Sequence, residues 1–555
     1  MTSRRKSNAY PFASGGWGSV KAVATILLQE KAPLKDSRVL MHQNKPDGFM
    51  CVSCSWAKPA SPHAFEFCES GAKATAWDIT SKRVTPDFFR VHSVTELLTW
   101  HDHDLEEAGR LTEPLRYDAA TDRYVPVSWQ QAFDEIGARL RGFDPNSVVF
   151  YSSGRASLET SYMLQLFARM YGTNNLPDSS NMCHESTSVG LKEAIGVGVG
   201  TIKLDDFEKT DLMFFFGQNV GTNSPRMLHP LQDARKRGVP IITFNPLREP
   251  GLLDFANPQS PKDMLLPADT QISTQYHQVK TGGDTAAILG ICKLVIEADD
   301  RALGAGEPRV IDVDFIRDHT KGFEEFAQYV RDANWDDILR VSGLEREAIE
   351  AAAYEYMKAN AVIAHYGMGM TQHRMGVQNV RMLVNMLLLR GNVGKPGAGP
   401  SPVRGHSNVQ GQRTVGITEK PELAPLDQLA RQFSFEPPRD KGMAIVEAFE
   451  AMLDGKVKAV VNLGGNLVRS VPDRLRTEPA WSRLDLTVNI TTKLNRSHLV
   501  HSRNAYVLPC LSRIEIDRQA GGEQAVSMED STACFHGSRG VAEPASPSIR
   551  SEPFI

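Results

Sequence analysis

Short apolar runs that alternate with helical stretches constrain the fold of this chain more than any other feature. Each run is rich in Val, Leu, Ile and Phe and is too short to form a helix, which is typical of strands buried in a parallel sheet. The predicted strands are residues 148–152, 212–216, 240–244, 361–366, 459–463 and 484–490. Strands and helices in this alternation predict the α/β class with parallel sheets.

The helix after the first predicted strand has recognisable ends. Ser157 is a suitable N-cap, and Gly172 stands where a left-handed residue commonly ends a helix. Met163, Phe167 and Met170 keep helical spacing between those two positions. We therefore predict a helix from about residue 158 to about residue 171.

Glycine and asparagine directly follow two of the predicted strands, in residues 217–223 and 464–466. Doubly wound sheets bind ligands beyond the carboxyl ends of their strands. Because Gly and Asn also occur in ordinary turns of α/β proteins, the two turns indicate a place for a ligand without identifying it.

The composition excludes several classes of partner. Lys and Arg total 62 against 66 Asp and Glu, so a net charge of −4 provides no strong field to recruit nucleic acid or an anionic membrane. The longest apolar runs, such as residues 212–216, are far shorter than the roughly 20 residues that a membrane-spanning helix requires. We expect small-molecule or protein partners, no nucleic acid and no membrane insertion.

The predicted localisation is the cytoplasm. Arg4 and Arg5 resemble the start of a twin-arginine export signal, but polar residues follow where an apolar stretch should begin. Seven cysteines, an odd and sparse set in 555 residues, argue against a disulfide framework and for a reducing compartment.

Two cysteine motifs are candidate metal ligands. Cys51 and Cys54 form a Cys-x-x-Cys pair, and Cys68 could close on the same iron or zinc ion; buried thiols without a metal are the alternative. Cys183, followed by His184 in a polar segment that opens a helix near Ser186, could bind a soft metal as thiolate. A lone Cys beside a His is otherwise usually structural.

Four segments resemble the large subunits of formate dehydrogenases. Residues 366–372 (YGMGMTQ) and 390–399 (RGNVGKPGAG) carry the likeness, which runs from about residue 45 to the end of the chain. Residues 401–411 (SPVRGHSNVQG) resemble that family's arginine-bearing active-site segment, and residues 182–184 (MCH) resemble its metal-ligand segment. The resemblance implies a molybdopterin oxidoreductase large (alpha) subunit of the formate dehydrogenase-like family.

The resemblance also implies a multi-domain formate dehydrogenase/DMSO reductase-like architecture, with two Rossmann-like parallel-sheet domains and a small N-terminal iron–sulfur lobe. We expect that lobe over residues 1–112, one α/β cofactor domain over 113–178 plus 405–555, and a second over 179–404. Relatives continue into a C-terminal cap domain. Because the chain stops at Ile555, we expect that cap to be absent and the chain to be truncated.

By the same resemblance, Cys183 is the molybdenum ligand, His184 the neighbouring proton acceptor and Arg404 the residue that orients the substrate. The chemistry fits, because oxidising a small anion needs a redox metal, a fixed cation and a base of near-neutral pKa. The implied cofactor is a molybdenum or tungsten bound by two molybdopterin guanine dinucleotides (Mo-bis(MGD)). Its candidate ligands are Asn219, Asn223, Asn245, Arg248, Gly283, Asp284, Gly464, Asn466 and Asn489.

The sequence departs from the family pattern at the iron–sulfur motif. The family carries four cysteines and a relay lysine two positions after the last; this chain offers Cys51, Cys54 and Cys68, then Ser70, with Lys73 further on. Residues 67–74 resemble a branch associated with bacterial acid resistance. The 4Fe-4S cluster is therefore expected from the family resemblance and not from the number of cysteines. Such a cluster would pass electrons to an unidentified carrier or subunit.

Two functional hypotheses remain. The first is an oxidoreductase that performs a two-electron oxidation or reduction of a small substrate, such as formate, at the pterin-bound metal. The alternative is a truncated cofactor-binding protein without catalysis. A nicotinamide-dependent enzyme is the poorer reading, because no Gly-x-Gly-x-x-Gly follows a first strand with an acidic residue downstream.

Overall fold

A computed structural model describes residues 12–31, 33–266 and 269–549. The Arg4–Arg5 pair and the polar residues after it lie outside this range. The described chain packs as two compact units. Unit one contains residues 12–24, 68–70, 186–266 and 269–403, and unit two contains residues 25–31, 33–67, 71–185 and 404–549. No helix of the described chain is both long enough and apolar enough to cross a bilayer.

Unit one is built around a five-stranded sheet in which all neighbouring strands are parallel. Every residue of its three central strands is buried, as expected when helices cover both faces. The strands, in spatial order, are Gln275–His277, Ile241–Phe244, Leu212–Phe216, Val362–Tyr366 and Gly399–Pro402. A smaller sheet contains Ser14–Gly15, Asp254–Ala256 and Thr270–Gln271.

The helix Asp284–Ala305 is the centre of the helical layer of unit one, where Ile288, Ile291 and Val295 are buried among the neighbouring helices. The other α-helices of this unit are Val220–Asn223, Leu228–Lys236, Pro250–Leu253, Pro261–Leu265, Val313–His319, Phe323–Asp332, Trp335–Ser342, Arg346–Lys358, Met368–Thr371 and Gly376–Leu389. Its short 3-10 helices are Leu204–Glu208 and Pro225–Met227.

Two loops meet at the carboxyl edge of the unit-one sheet. Leu212–Phe216 and Val362–Tyr366 pair in register, so Gly217 and Gly367 both leave the sheet at the same edge. Gly217 has a φ of 56°, and a Cβ there would lie 2.7 Å from the Cα of Gly369. The Gly369 N–H donates to the Gly217 carbonyl at 3.0 Å. Only glycine permits this backbone contact.

Unit two is built around a six-stranded sheet with four parallel strands and an antiparallel hairpin at one edge. In spatial order the strands are Arg123–Pro126, Leu115–Asp118, Asn504–Pro509, Leu486–Thr491, Ala459–Leu463 and Val148–Ser152. Smaller sheets pair Asp517–Gln519, Gly522–Glu529 and Phe535–Arg539, and Arg83–Val84 with Arg110–Leu111.

The α-helices of unit two are mostly short. They are Pro33–Leu40, Pro86–Val91, Val94–Leu97, Asp102–Glu107, Trp129–Leu140, Leu158–Tyr171, Ser179–Cys183, Val409–Thr414, Leu426–Phe433, Ile445–Leu453, Leu467–Ser470, Arg474–Ser482 and Arg496–Leu499, with 3-10 turns at Pro145–Ser147 and Pro421–Leu423. Three further helices contain residues of both units: Gly16–Gln29, Glu69–Ile79 and Glu185–Ile195.

The predicted α/β class with parallel sheets is confirmed, and all six predicted strands form. Three of them begin later than predicted, for local reasons. Pro240 has no N–H to donate, the Ala361 N–H donates to Asp211 Oδ2 at 3.0 Å, and the Leu484 N–H donates to the Trp481 carbonyl at 3.1 Å. The three-domain division stays a prediction.

The helix Leu158–Tyr171 begins and ends where the sequence predicts. Ser157 Oγ accepts from the Thr160 N–H at 3.1 Å, and Gly172 ends the helix with a φ of 111°. The apolar positions used for that prediction lie on the outer face, since Met163, Phe167 and Met170 are 39%, 49% and 54% exposed. The helix instead buries other positions, which are Leu158, Ser161, Leu164, Gln165, Leu166, Ala168 and Arg169.

Candidate functional site

Cys183 is the last residue of the five-residue helix Ser179–Cys183 in unit two. Asp178 caps this helix: its Oδ1 accepts from the Asn181 N–H at 3.2 Å, while Asn181 Oδ1 accepts from the Asp178 N–H at 3.1 Å. Asp178 also forms a parallel bridge with Ser152, the last residue of a central-sheet strand. The helix that carries the thiol therefore starts at the carboxyl end of that strand.

The Cys183 thiol is 7% exposed and lies near the positive charge of Arg404. Burial raises the pKa of this thiol to about 11, although the Arg404 charge and a hydrogen bond from the Gly405 backbone N–H act to lower it. The sulfur is therefore protonated at neutral pH in the cofactor-free protein. A soft metal that binds it as thiolate displaces this proton.

Arg404 is 2% exposed, and its backbone is fixed by two serines. Its carbonyl accepts from Ser55 Oγ at 3.0 Å, and its N–H donates to Ser531 Oγ at 3.2 Å. The two hydroxyl oxygens lie 2.7 Å apart. The two serines thus hold the backbone of Arg404 in place by hydrogen bonds. Arg404 belongs to unit two, the same unit as Cys183.

His184 directly follows the thiol and is fully buried. It is the C-cap of the Ser179–Cys183 helix, and its backbone N–H donates to the Ser180 carbonyl at 3.0 Å. Unit two therefore contains all three predicted catalytic residues, Cys183, His184 and Arg404, and it brings the arginine charge to the thiol.

The cysteines of the predicted iron–sulfur motif differ in burial: Cys51 is buried, whereas Cys54 and Cys68 are half-buried. Cys51 is buried in unit two, where its N–H donates to Asn44 Oδ1 at 2.9 Å and its carbonyl accepts from Arg513 Nη1 at 3.0 Å. Cys54 belongs to unit two and Cys68 to unit one. Across the described residues, no three His, Cys, Asp or Glu side chains lie close enough to hold a metal ion. The three-cysteine site stays a prediction.

Asp284 is the strongest of the predicted cofactor ligands in unit one. It begins the long helix Asp284–Ala305 and is 3% exposed, and burial raises the pKa of its carboxyl to about 6. Its Oδ1 is buried without a hydrogen-bond partner among the described residues. A Cβ on the preceding Gly283 would lie 2.7 Å from the Val341 carbonyl oxygen, so this turn requires glycine. A buried carboxyl oxygen without a partner fits a polar ligand.

The other predicted residues of unit one are used differently. Asn245 is buried, and its N–H donates to the His277 carbonyl at 3.0 Å. The Arg248 guanidinium lies 5.4 Å from the centre of the Tyr276 ring. Asn219 caps the short helix Val220–Asn223 and donates to Glu249 Oε2 at 2.7 Å, while Asn223 is exposed.

In unit two, Asn489 forms an amide pair that the sequence did not indicate. Asn462 Nδ2 donates to Asn489 Oδ1 at 3.0 Å across adjacent strands. The remaining atoms, Asn462 Oδ1 and Asn489 Nδ2, are buried without a partner among the described residues. An unsatisfied buried donor or acceptor costs about 1–3 kcal/mol, so this pair fits a hydrogen-bonding ligand.

The two remaining candidates lie at the end of a neighbouring strand of unit two. Gly464 has a φ of 68° directly after Ala459–Leu463. Asn466 Oδ1 accepts from the Ser497 N–H at 3.2 Å and from Ser497 Oγ at 3.0 Å, so this side chain holds a turn.

Sequence reasoning missed several residues of the site, among them Ser55, Asp178, Gly405 and Ser531. Asp178 had a local signal, because Asp is one of the residues preferred as the N-cap of a helix. The serines and Gly405 had none, since they act through contacts that join distant parts of the chain.

Three comparisons bear on the identity of this site. Residues 110–509 match the protein family described as molybdopterin oxidoreductase. Protein YdeP of Escherichia coli strain K12 is 50% identical over 550 residues, which cover 99% of this chain and 72% of YdeP. Formate dehydrogenase H of the same strain is 26% identical over 396 residues, covering 68% of this chain and 51% of that enzyme.

Among solved structures, acetylene hydratase from Pelobacter acetylenicus has the same fold. The two align with a TM-score of 0.65 and 17% sequence identity, over 92% of this chain and 68% of the hydratase.

Proposed function

Because this chain belongs to the molybdopterin oxidoreductase family, we propose that it performs a formate dehydrogenase-type, two-electron reaction on a small anion at a molybdenum or tungsten held by Cys183. The observation that carries this proposal is the buried Cys183 thiol beside the Arg404 charge and the Gly405 N–H. The likeness to formate dehydrogenase H makes formate the first substrate to test.

Arg404 supplies the fixed cation. A guanidinium in a buried site attracts a carboxylate more strongly than one in water, and its fork of N–H groups sets the orientation of the anion. Its backbone is held by Ser55 and Ser531, so little order has to be gained when the anion binds.

His184 takes the proton. Oxidation of formate to carbon dioxide releases a proton and a pair of electrons, and an imidazole next to the metal ligand is a suitable base. The pterin-bound metal supplies the two-electron chemistry when it is present. His184 is fully buried, so bulk solvent does not contact the imidazole.

Each unit offers candidate ligands for a Mo-bis(MGD) cofactor. In unit one, Asp284, Gly283, Asn245 and Arg248 follow sheet strands or begin the central helix. In unit two, the buried amides of Asn462 and Asn489, with Gly464, offer a donor and an acceptor for a guanine edge. Asn219, Asn223 and Asn466 are weaker candidates, because the first and last are used in turns and Asn223 is exposed.

The electron path is proposed from the family. Cys51, Cys54 and Cys68 would hold a 4Fe-4S cluster that passes electrons to a carrier or a second subunit. The cytoplasm and the acid-resistance-associated branch are the proposed setting, and the N-terminal lobe with two cofactor domains is the proposed domain plan.

The test is a metal count joined to an assay. The protein is purified anaerobically, molybdenum, tungsten and iron are counted per chain by plasma mass spectrometry, and formate-dependent dye reduction is measured. About one molybdenum or tungsten per chain, with turnover that Cys183→Ala abolishes, supports the proposal. About four irons per chain would add the cluster.

Cys292→Ala is the matched control, because Cys292 is a fully buried thiol on the central helix of unit one and has no proposed role. It should keep metal and turnover. Protein without molybdenum or tungsten, or undiminished turnover in Cys183→Ala, contradicts the proposal. Pterin and metal without turnover on any donor would favour a cofactor-binding protein without catalysis.

A further inference from the structure

We propose that Arg413 is a positioning residue for the Cys183 thiol, because its guanidinium holds both ends of residues 178–185, the segment that carries the thiol. The inference rests on the proposed role of Cys183 as metal ligand. Every residue involved lies in unit two.

The first contact is with Asp178, at the start of the segment. Arg413 Nη2 donates to Asp178 Oδ1 at 3.0 Å, and Arg413 Nε donates to Oδ2 at 3.2 Å. Gln412 Nε2 donates to the same Oδ2 at 2.5 Å. Asp178 is fully buried, and it is the N-cap of the helix that ends in Cys183. The forked pair therefore fixes where that helix begins.

The second contact is with Glu185, two residues after the thiol. Arg413 Nη2 donates to Glu185 Oε2 at 2.9 Å, and Lys420 Nζ donates to Oε1 at 3.0 Å. Asn181 Nδ2 reaches the same Oε2 at 3.3 Å. Glu185 is therefore held by two cations and an amide.

Arg413 lies at the centre of a charged cluster of five side chains. A third carboxylate, Glu419 Oε2, lies 3.6 Å from Arg413 Nη1, so three carboxylates surround two cations, Arg413 and Lys420. Lys420 pairs with Glu185 and Glu419, whereas the described ion pairs of Asp178 involve Arg413 alone. Among the described residues, Arg413 is therefore the one cation that pairs with carboxylates at both ends of the segment.

The segment depends on such contacts. A helix of five residues has too few internal hydrogen bonds to be stable by itself, so its position is set by tertiary contacts. Removing one partner of a buried ion pair leaves an uncompensated charge, which is strongly destabilising locally. A lysine cannot replace the fork, because its single ammonium does not span two carboxylates in the same geometry.

The test uses thiol accessibility in cofactor-free protein, so it does not depend on activity. Parent protein, Arg413→Lys, Arg413→Gln and Lys420→Met are treated with iodoacetamide, and alkylation of each cysteine is followed by peptide mass spectrometry. We expect alkylation of Cys183 to accelerate at least about tenfold in both Arg413 variants, through local opening. Lys420→Met, which removes a partner of Glu185 but not of Asp178, should change the rate less than about threefold.

Cys292 is the internal reference, because it is fully buried in unit one. Its rate should stay at the parent value. An unchanged Cys183 rate in both Arg413 variants overturns the inference, and so does equal acceleration of Cys183 and Cys292 in Arg413→Lys, since that indicates general unfolding. Arg413→Lys keeps the charge and is the variant on which the decision rests if Arg413→Gln does not fold.

Metal-loaded protein provides a second readout. X-ray absorption at the molybdenum edge should show fewer sulfur neighbours in Arg413→Lys than in the parent, and an identical spectrum would count against the inference. If the parent contains neither molybdenum nor tungsten, the proposed function fails, and the alkylation result still decides whether Arg413 positions the thiol.

Discussion

Ser55 Oγ donates a hydrogen bond to the backbone carbonyl of Arg404 across 3.0 Å. A residue next to Cys54 therefore supports the arginine that we assign to the substrate. The same hydroxyl lies 2.7 Å from Ser531 Oγ, which accepts from the Arg404 N–H. The position of the Arg404 guanidinium thus depends on Ser55, which lies in the segment that contains Cys51 and Cys54.

Substitution Ser55→Ala tests this relationship. It leaves a buried carbonyl without its donor, so we expect the free energy of unfolding to fall by about 1–3 kcal/mol and the KM for formate to rise. Chemical denaturation and steady-state kinetics measure the two effects. Ser61→Ala, at an exposed serine of the same segment, should change neither quantity.

Arg404→Lys separates the charge of the arginine from its fork. The lysine keeps a cation but loses the paired N–H groups, so we expect the KM for formate to rise about 10- to 100-fold with a smaller change in kcat. The control is Arg503→Lys, at an exposed arginine of unit two, which should behave as the parent. Equal KM values for Arg404→Lys and the parent would remove substrate binding from the role of Arg404.

Arg110 and Glu515 form a fully buried ion pair at 2.8 Å in unit two. The guanidinium also donates to the carbonyls of Thr492 and Cys510, both at 3.2 Å. Arg110→Met leaves a buried carboxylate, so we expect a loss of about 3–5 kcal/mol in the free energy of unfolding of this unit. Denaturant titration measures it.

The contrast for that experiment is Arg518→Met, because Arg518 and its partner Glu543 are 50% and 66% exposed. An exposed pair contributes about 0–1 kcal/mol, so this loss should be small. Similar losses for the two variants would show that burial does not determine the strength of the Arg110 pair.

Asp284 predicts a pH dependence in the cofactor-free protein. Burial raises the pKa of its carboxyl from 3.8 to about 6, so between these values the folded chain binds the proton more readily than the unfolded chain. Stability therefore falls as pH rises through this window, and the penalty is fully present above about pH 6. Asp284→Asn should raise the free energy of unfolding at pH 7 by up to about 3 kcal/mol, and the gain should vanish near pH 4.

Calorimetry from pH 4 to pH 8 measures this difference. Asp337→Asn is the control, because the side chain of Asp337 is 65% exposed on another helix of unit one, so this substitution changes no buried group. If Asp284→Asn raises the free energy of unfolding by the same amount at pH 4 and pH 7, burial does not raise the pKa of the Asp284 carboxyl.

Much of the fold followed from local patterns. The buried strands are recognisable because each is a continuous apolar run, and the helix Leu158–Tyr171 because a serine and a glycine set its ends. Which face of that helix is buried could not be predicted, since Met163 and Phe167 have helical spacing and yet are exposed. Spacing identifies a helix, whereas the face it buries depends on which neighbours pack against it.

The site was predictable in part for a related reason. Cys183, His184 and Arg404 stand in motifs, and the resemblance to formate dehydrogenase-like molybdopterin enzymes is confirmed at the level of the family. Arg413 was not predictable, because its contacts with Asp178 and Glu185 join residues more than 200 positions apart. Charges scattered along a sequence give no sign of which will share a buried cluster.

The amide pair of Asn462 and Asn489 has a consequence for what it can recognise. Rotating both amides by half a turn keeps one hydrogen bond between them but exchanges the atoms left over: Asn462 then offers its NH₂ and Asn489 its oxygen. A bound ligand can therefore determine which of the two asparagines offers the hydrogen-bond donor and which offers the acceptor. Toward the proposed guanine ligand, the pair can therefore present its donor and acceptor in either order without any movement of the backbone.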